Sequence, residues 1–136
     1  MNQKKLSIYL ASLILFIFVV NYVAVKFYWY SAIWWFDMPM HFLGGLWLGL
    51  AIIWLFSLKE LSPPERPFGW AGFKLIFKII LGVLFVGILW ELFEIFINKS
   101  IAQNPFNILD TVSDMCFDLV GGSLSIIYFF KRIVYN

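Results

Sequence analysis

Charge is scarce in this chain of 136 residues, of which only 13% are Asp, Glu, Lys or Arg, against about 25% in ordinary soluble domains. That shortage excludes a soluble globular domain. Ten Lys and Arg against eight Asp and Glu leave a formal charge of +2, too little basic surface to hold a polyanion, so nucleic acid is not an expected partner. The one cysteine, Cys116, allows neither an internal disulfide nor a CxxC metal knuckle. No GxSxG, GxxxxGKS/T, GxGxxG or HExxH string is present, which removes the motif-based hydrolase, nucleotide and zincin readings. Internal repeats, low-complexity tracts and a second domain are also absent.

What is abundant is apolar: 62% of residues are hydrophobic and 21% aromatic, with a mean hydropathy of +0.88, which excludes a disordered chain. A helix rises about 1.5 Å per residue, so crossing a hydrocarbon core of about 30 Å takes roughly 20 mostly apolar residues. Four segments meet that length, at about 6–27, 37–58, 73–97 and 108–128. They predict an all-α polytopic membrane protein, with residues 1–136 forming a single transmembrane domain.

The first span follows Lys4 and Lys5 as a secretory signal would, but its apolar run outlasts a signal core of about 7–15 residues. It reads as a retained anchor. Asp37 and Pro39 mark the start of the second span, the acid as an N-cap and the proline in a first turn that needs no N–H from it. The connector before it, with Phe27, Tyr28, Trp29, Tyr30, Trp34, Trp35 and Phe36, reads as an aromatic belt at the membrane–water interface. A polar, helix-breaking linker from Ser62 to Gly69 and a short loop around Gln103, Asn104 and Pro105 separate the remaining spans.

Four spans put both termini on one side, and the distribution of Lys and Arg chooses which. With the N-terminus inside, Lys4, Lys5, Lys59, Arg66, Lys74, Lys78, Lys131 and Arg132 are cytoplasmic, and only Lys26 and Lys99 lie outside. An N-in/C-in topology follows. It leaves Glu60 and Glu65 inside and six acids at the outer face: Asp37 opening span two, Glu91 and Glu94 closing span three, and Asp110, Asp114 and Asp118 opening span four.

These acids lie on helical stripes. Asp37, His41, Gly45 and Gly49 repeat every four residues, as do Asp110, Asp114, Asp118 and Gly122, and Gly87, Glu91, Glu94 and Asn98 follow three/four spacing. The Gly45–Gly49 pair, with Gly121, Gly122 and Ser125, lets backbones approach closely below the acids. The pattern predicts a tight bundle whose outer half opens into an acidic pocket containing the only histidine. Ionised groups at membrane depth normally face the bundle interior and find a partner.

Structural roles compete for some of these residues. Asp37 and Asp110 sit where an N-cap carboxylate belongs, Asp114 pairs with Thr111 in capping-box spacing, and Glu94 is shallow enough to be solvated. Glu91 and Asp118 lie too deep to cap their helices. His41 suits a metal ligand, a proton carrier or a carboxylate partner. Cys116 falls about 200° around the helix from Asp114 and points off the acid stripe. Asp37 with Asp114 supplies the two acids an intramembrane aspartyl protease needs, with nothing further in support. Asn98, Lys99 and Ser100 form an N-x-S sequon beside the membrane.

Three segments carry a family likeness: FDMPMHFLGG with Asp37 and His41, WELFE with Glu91 and Glu94, and DTVSDMCFDLVGG with Asp110, Thr111, Asp114 and Gly121. Through them spans two to four resemble the small bacterial inner-membrane proteins of the YjdF-like family, a domain of unknown function. There an Asp-x-x-x-His start, a Glu-rich helix end and a D-T-x-x-D-M string occur in the same order. A fainter similarity, through the acids and glycines of the last span, is to VanZ-like membrane proteins. The resemblance implies a bacterial inner-membrane location and supplies no reaction.

Three roles stay open on the residues. In the first, Asp37, His41, Glu91, Glu94, Asp110, Asp114 and Asp118 bind a divalent metal ion that acts on a lipid or cell-envelope substrate, since several carboxylates and one imidazole hold hard or borderline ions. The second is a non-catalytic accessory or assembly protein. The third is a proton- or ion-conducting subunit of a homo-oligomer. Whether the protein is an enzyme is not decided by its sequence.

Overall fold

The computed structural model describes residues 3–58, 69–97 and 107–134. Residues 62–68 of the polar linker, the loop around Gln103, Asn104 and Pro105, and the sequon at Asn98, Lys99 and Ser100 lie outside the described residues. Four long helices carry the expected spans: α1 (Gln3–Lys26), α3 (Asp37–Leu58), α4 (Trp70–Ile97) and α5 (Ile108–Val134), with a short α2 (Trp29–Ala32) between the first two. Each long helix is long and apolar enough to cross a membrane. In lipid the backbone must satisfy its own hydrogen bonds, and a helix does so within one segment.

The helices alternate in direction. Indole Nε1 of Trp47 donates to the carbonyl of Leu10 (3.0 Å) and that of Trp54 to Ser7 Oγ (2.8 Å), so the end of α3 lies beside the start of α1. An indole N–H left unpaired in an apolar interior costs about 1–3 kcal/mol, so the two bonds fix how α1 lies on α3. α3 and α5 are the most closely packed pair and run parallel. A side chain at Gly45 would strike the backbone of Asp118, and one at Gly121 the backbone of Phe42 and Leu46. The small-residue stripes read from the sequence are thus a true backbone-to-backbone seam.

The two halves of the bundle differ. Near the ends that carry Gln3 and Val134, an apolar cluster including Leu6, Leu10, Ile53, Ile79, Val83 and Phe129 is closed to the outside. At the other end the buried polar side chains, among the described residues, are His41, Glu91, Asp114 and Asp118. There α1 and α4 do not pack closely on each other, and a cavity of about 500 Å³ opens between them.

The aromatic connector is only partly a belt. Phe27, Tyr28 and Trp34 are exposed, as interfacial rings should be. Phe36 instead is buried, with the rings of Trp29 and Tyr30 edge-on to it at 5.4 and 5.1 Å. Tyr28 adopts the left-handed region (φ 57°), where the chain reverses between α1 and α3. Tyr30 closes the turn by donating its hydroxyl to Asn21 Oδ1 at 2.7 Å.

Candidate functional site

The start of α3, the end of α4 and the start of α5 meet at the acidic end. His41 stands one turn inside α3, 7% exposed, because the four-residue stripe it shares with Asp37 and Gly45 is the face laid against α5. Its ring is held between carboxylates on both sides. Nδ1 lies 3.4 Å from Asp118 Oδ2, while Nε2 lies 3.7 Å from Asp37 Oδ1 and 3.9 Å from Asp114 Oδ2. Asp37 comes from the same helix one turn earlier, and the other two acids from successive turns of α5. Asp114 is 2% exposed, so the capping-box role open to it is displaced by the pocket.

Glu94, half-buried on α4, completes the group. One ligand atom from each of Asp37, His41, Glu94 and Asp114 falls within 4.8 Å of all the others. Divalent cations bond such atoms at about 2.0–2.6 Å, so two ligands on opposite sides of one ion stand about 4–5 Å apart. The four donors therefore fit around a single ion. Glu91, a turn deeper on α4, is buried, and its Oε1 has no hydrogen-bond partner among the described residues. It lies within electrostatic reach of both Glu94 and Asp114.

Not every acid expected in the pocket joins this group. Asp110 is exposed, and Asp118 faces the opposite ring nitrogen of His41. Nor is Asp110 the N-cap of α5, which begins at Ile108 and is capped by Asn107. Its Oδ1 accepts from the Leu109 N–H at 3.2 Å and its carbonyl from the Thr111 N–H at 3.2 Å. Asn107 is not among the caps expected from the sequence, and an Asn just ahead of a periodic apolar run is the signal that could have found it. Cys116 is exposed between two buried aspartates, as its position off the stripe required.

The cavity extends the site. Asp37, His41 and Asp118 form its polar end together with Asn21 and Tyr30. The last two come from α1 and the connector, nine residues apart, and only the chain reversal brings them to the acids. Tyr30 lies outside the spans, and its phenol is pushed up to about 12 by desolvation first and by the negative charges of Asp37 and Glu94 second. None of the described Lys or Arg residues lines the cavity, so its polar end carries acids and one imidazole without a fixed cation.

A family described as "Predicted membrane protein (DUF2238)" matches residues 2–134, which takes the likeness beyond spans two to four to include α1. It is the family of the YjdF-like proteins; the VanZ-like similarity has no counterpart in these comparisons. No curated protein and no solved structure matches the chain.

Proposed function

This chain belongs to that family of membrane proteins, and from that premise we propose that it holds a divalent metal ion at the extracytoplasmic face of a bacterial inner membrane and acts through it on a lipid or cell-envelope substrate. One observation carries the reading: four donors from three helices, three carboxylates and one imidazole, come within 4.8 Å of one another. Such a mixed oxygen and nitrogen set suits Mg, Mn or Zn better than a soft ion such as Cu(I). The placement of Asp118 supports it. A metal-bound imidazole usually donates its other N–H to a carboxylate, which fixes the ring and the tautomer, and Asp118 stands at Nδ1 while Nε2 faces the group. Asp37, His41, Glu94 and Asp114 would be the ligands, and Asp118 the residue that orients His41.

Charge compensation supports it as well. Clustered carboxylates in a low-dielectric site cannot all stay ionised without a counter-charge, and among the described residues no Lys or Arg lines the cavity. A cation also gives the buried Glu91 an opposite charge nearby. The extracytoplasmic assignment rests on the eight basic residues that an N-in topology keeps inside, against two outside. Ion conduction through one copy is the weaker reading, since the described buried residues beyond Asp118 are apolar apart from Ser125.

Elemental analysis of the detergent-purified protein tests the reading, with His41→Ala and Asp114→Asn beside it. The wild type should retain a divalent metal, melt higher with metal added and lower with chelator, and both variants should lose the response. No retained metal, and melting unchanged by chelator and by Mg, Mn, Ca and Zn, would leave an accessory or assembly protein whose acids only specify helix packing.

A further inference from the structure

We propose that the cavity between α1 and α4 is a lipid groove, holding one hydrocarbon chain of a phosphate-headed lipid that enters sideways from the bilayer with its phosphate at the acid–histidine group. The inference rests on the metal reading and names the substrate class for it.

The shape supports the chain. Met40, Gly44 and Leu48 lie one turn apart on the face of α3 that floors the cavity, with Phe18 of α1 and Val86 of α4 among its walls. From Asp37 to Leu48 is eleven residues of helix, about 16 Å of depth, and half of a hydrocarbon core of about 30 Å is about 15 Å. The groove is therefore one leaflet deep, polar at the membrane surface and apolar towards the midplane, as a lipid is. Its open side faces the bilayer, because α1 and α4 are not closely packed there and Phe18 and Val86 are exposed.

Gly44 is an independent sign of an occupant. Unlike Gly45, which meets the backbone of α5, a side chain at 44 would meet nothing within 4 Å. Glycine weakens a helix relative to alanine, and no close approach or unusual φ at this position calls for it. The space it leaves is the floor of the groove. The head must be read through the metal, because none of the described Lys or Arg residues lines the cavity and the bare carboxylates would repel a phosphate. Hard divalent ions are commonly shared between protein carboxylates and substrate phosphates.

The test uses the full chain in detergent, by native mass spectrometry with Mn and three probes: oleoyl lysophosphatidate, monooleoylglycerol and glycerol phosphate. With Mn, lysophosphatidate should bind about tenfold or more tightly than either of the others, since only it has both the chain and the phosphate. Chelator should erase its advantage over monooleoylglycerol. Gly44→Leu should keep Mn and weaken lysophosphatidate about tenfold or more, by filling space a chain would occupy; Val86→Phe, from the opposite wall, repeats the test if the first variant does not fold. Glycerol phosphate binding as well as lysophosphatidate would indicate a site for free phosphate and overturn the groove. Equal binding of monooleoylglycerol, or full lysophosphatidate binding by both filled variants, would overturn the proposal too. A wild type that binds no Mn refutes the metal reading and the phosphate preference with it, whereas Mn bound without lysophosphatidate refutes the groove alone.

Discussion

Gly44 and Gly45 are neighbours in one helix, and alanine at each should move stability in opposite directions. At 45 a methyl group would stand 2.7 Å from the carbonyl carbon and 2.8 Å from the Cα of Asp118, where ordinary contact begins at 3.4 Å. These are backbone atoms of α5, and the Asp118 carbonyl oxygen stands closer still, so no side-chain rotation relieves the clash and the helices must part by roughly 1 Å or more. A gap of that size forfeits a quarter to a half of the contact energy around it, and overpacking of this kind costs about 1–3 kcal/mol. At 44 the methyl meets open space and gains helix propensity worth up to about 1 kcal/mol. Alanine gains that propensity at 45 as well, so at a few degrees per kcal/mol for a chain of this length Gly45→Ala should melt up to roughly 12 °C lower and Gly44→Ala up to roughly 4 °C higher. Thermal unfolding in detergent, followed by tryptophan fluorescence, separates the two. Parting the helices also carries Asp118 away from His41, so Gly45→Ala should weaken metal binding where Gly44→Ala does not. Equal melting temperatures for the two variants would refute the seam between α3 and α5 as described.

Asp114 and Asp118, one turn apart on α5, should answer amide substitution differently. Asp114→Asn removes a ligand and should abolish metal binding, while Asp118→Asn removes only the orienting partner of His41 and should weaken it about 10–100-fold, both read by isothermal titration. A reporter fused after Asn136 should be cytoplasmic and one inserted between residues 98 and 106 external; the reverse at either point would move the pocket to the other face. Tyr30 should ionise near 12 rather than its ordinary 10. Because the fold favours the neutral phenol, its stabilisation is complete below pH 10 and is lost as pH rises from there to about 12, so alkaline melting of the wild type should fall faster than that of Tyr30→Phe.

The four spans, the all-α class and the acids at one end were legible in the linear sequence, because a bilayer imposes a length and an apolar composition that local residues must meet by themselves. Asp37 does begin α3 and Ile108 does begin α5. Four-residue spacing also announced the stripe of His41 and the glycine seam, since side chains one turn apart share a face wherever the helix is packed. What spacing cannot give is the rotation of one helix against its neighbour. Asp114 and Asp118 share a stripe, yet only the seating of Gly45 on the α5 backbone puts one at Nε2 and the other at Nδ1 of the same ring. Likewise Asn21 and Tyr30 became part of the site through a chain reversal at Tyr28 that no motif marks. The polar end of the cavity was foreshadowed by the acids, but its apolar depth had no signal in the sequence: it is a space left where α1 and α4 do not pack closely, and a void between elements is fixed by their tertiary packing.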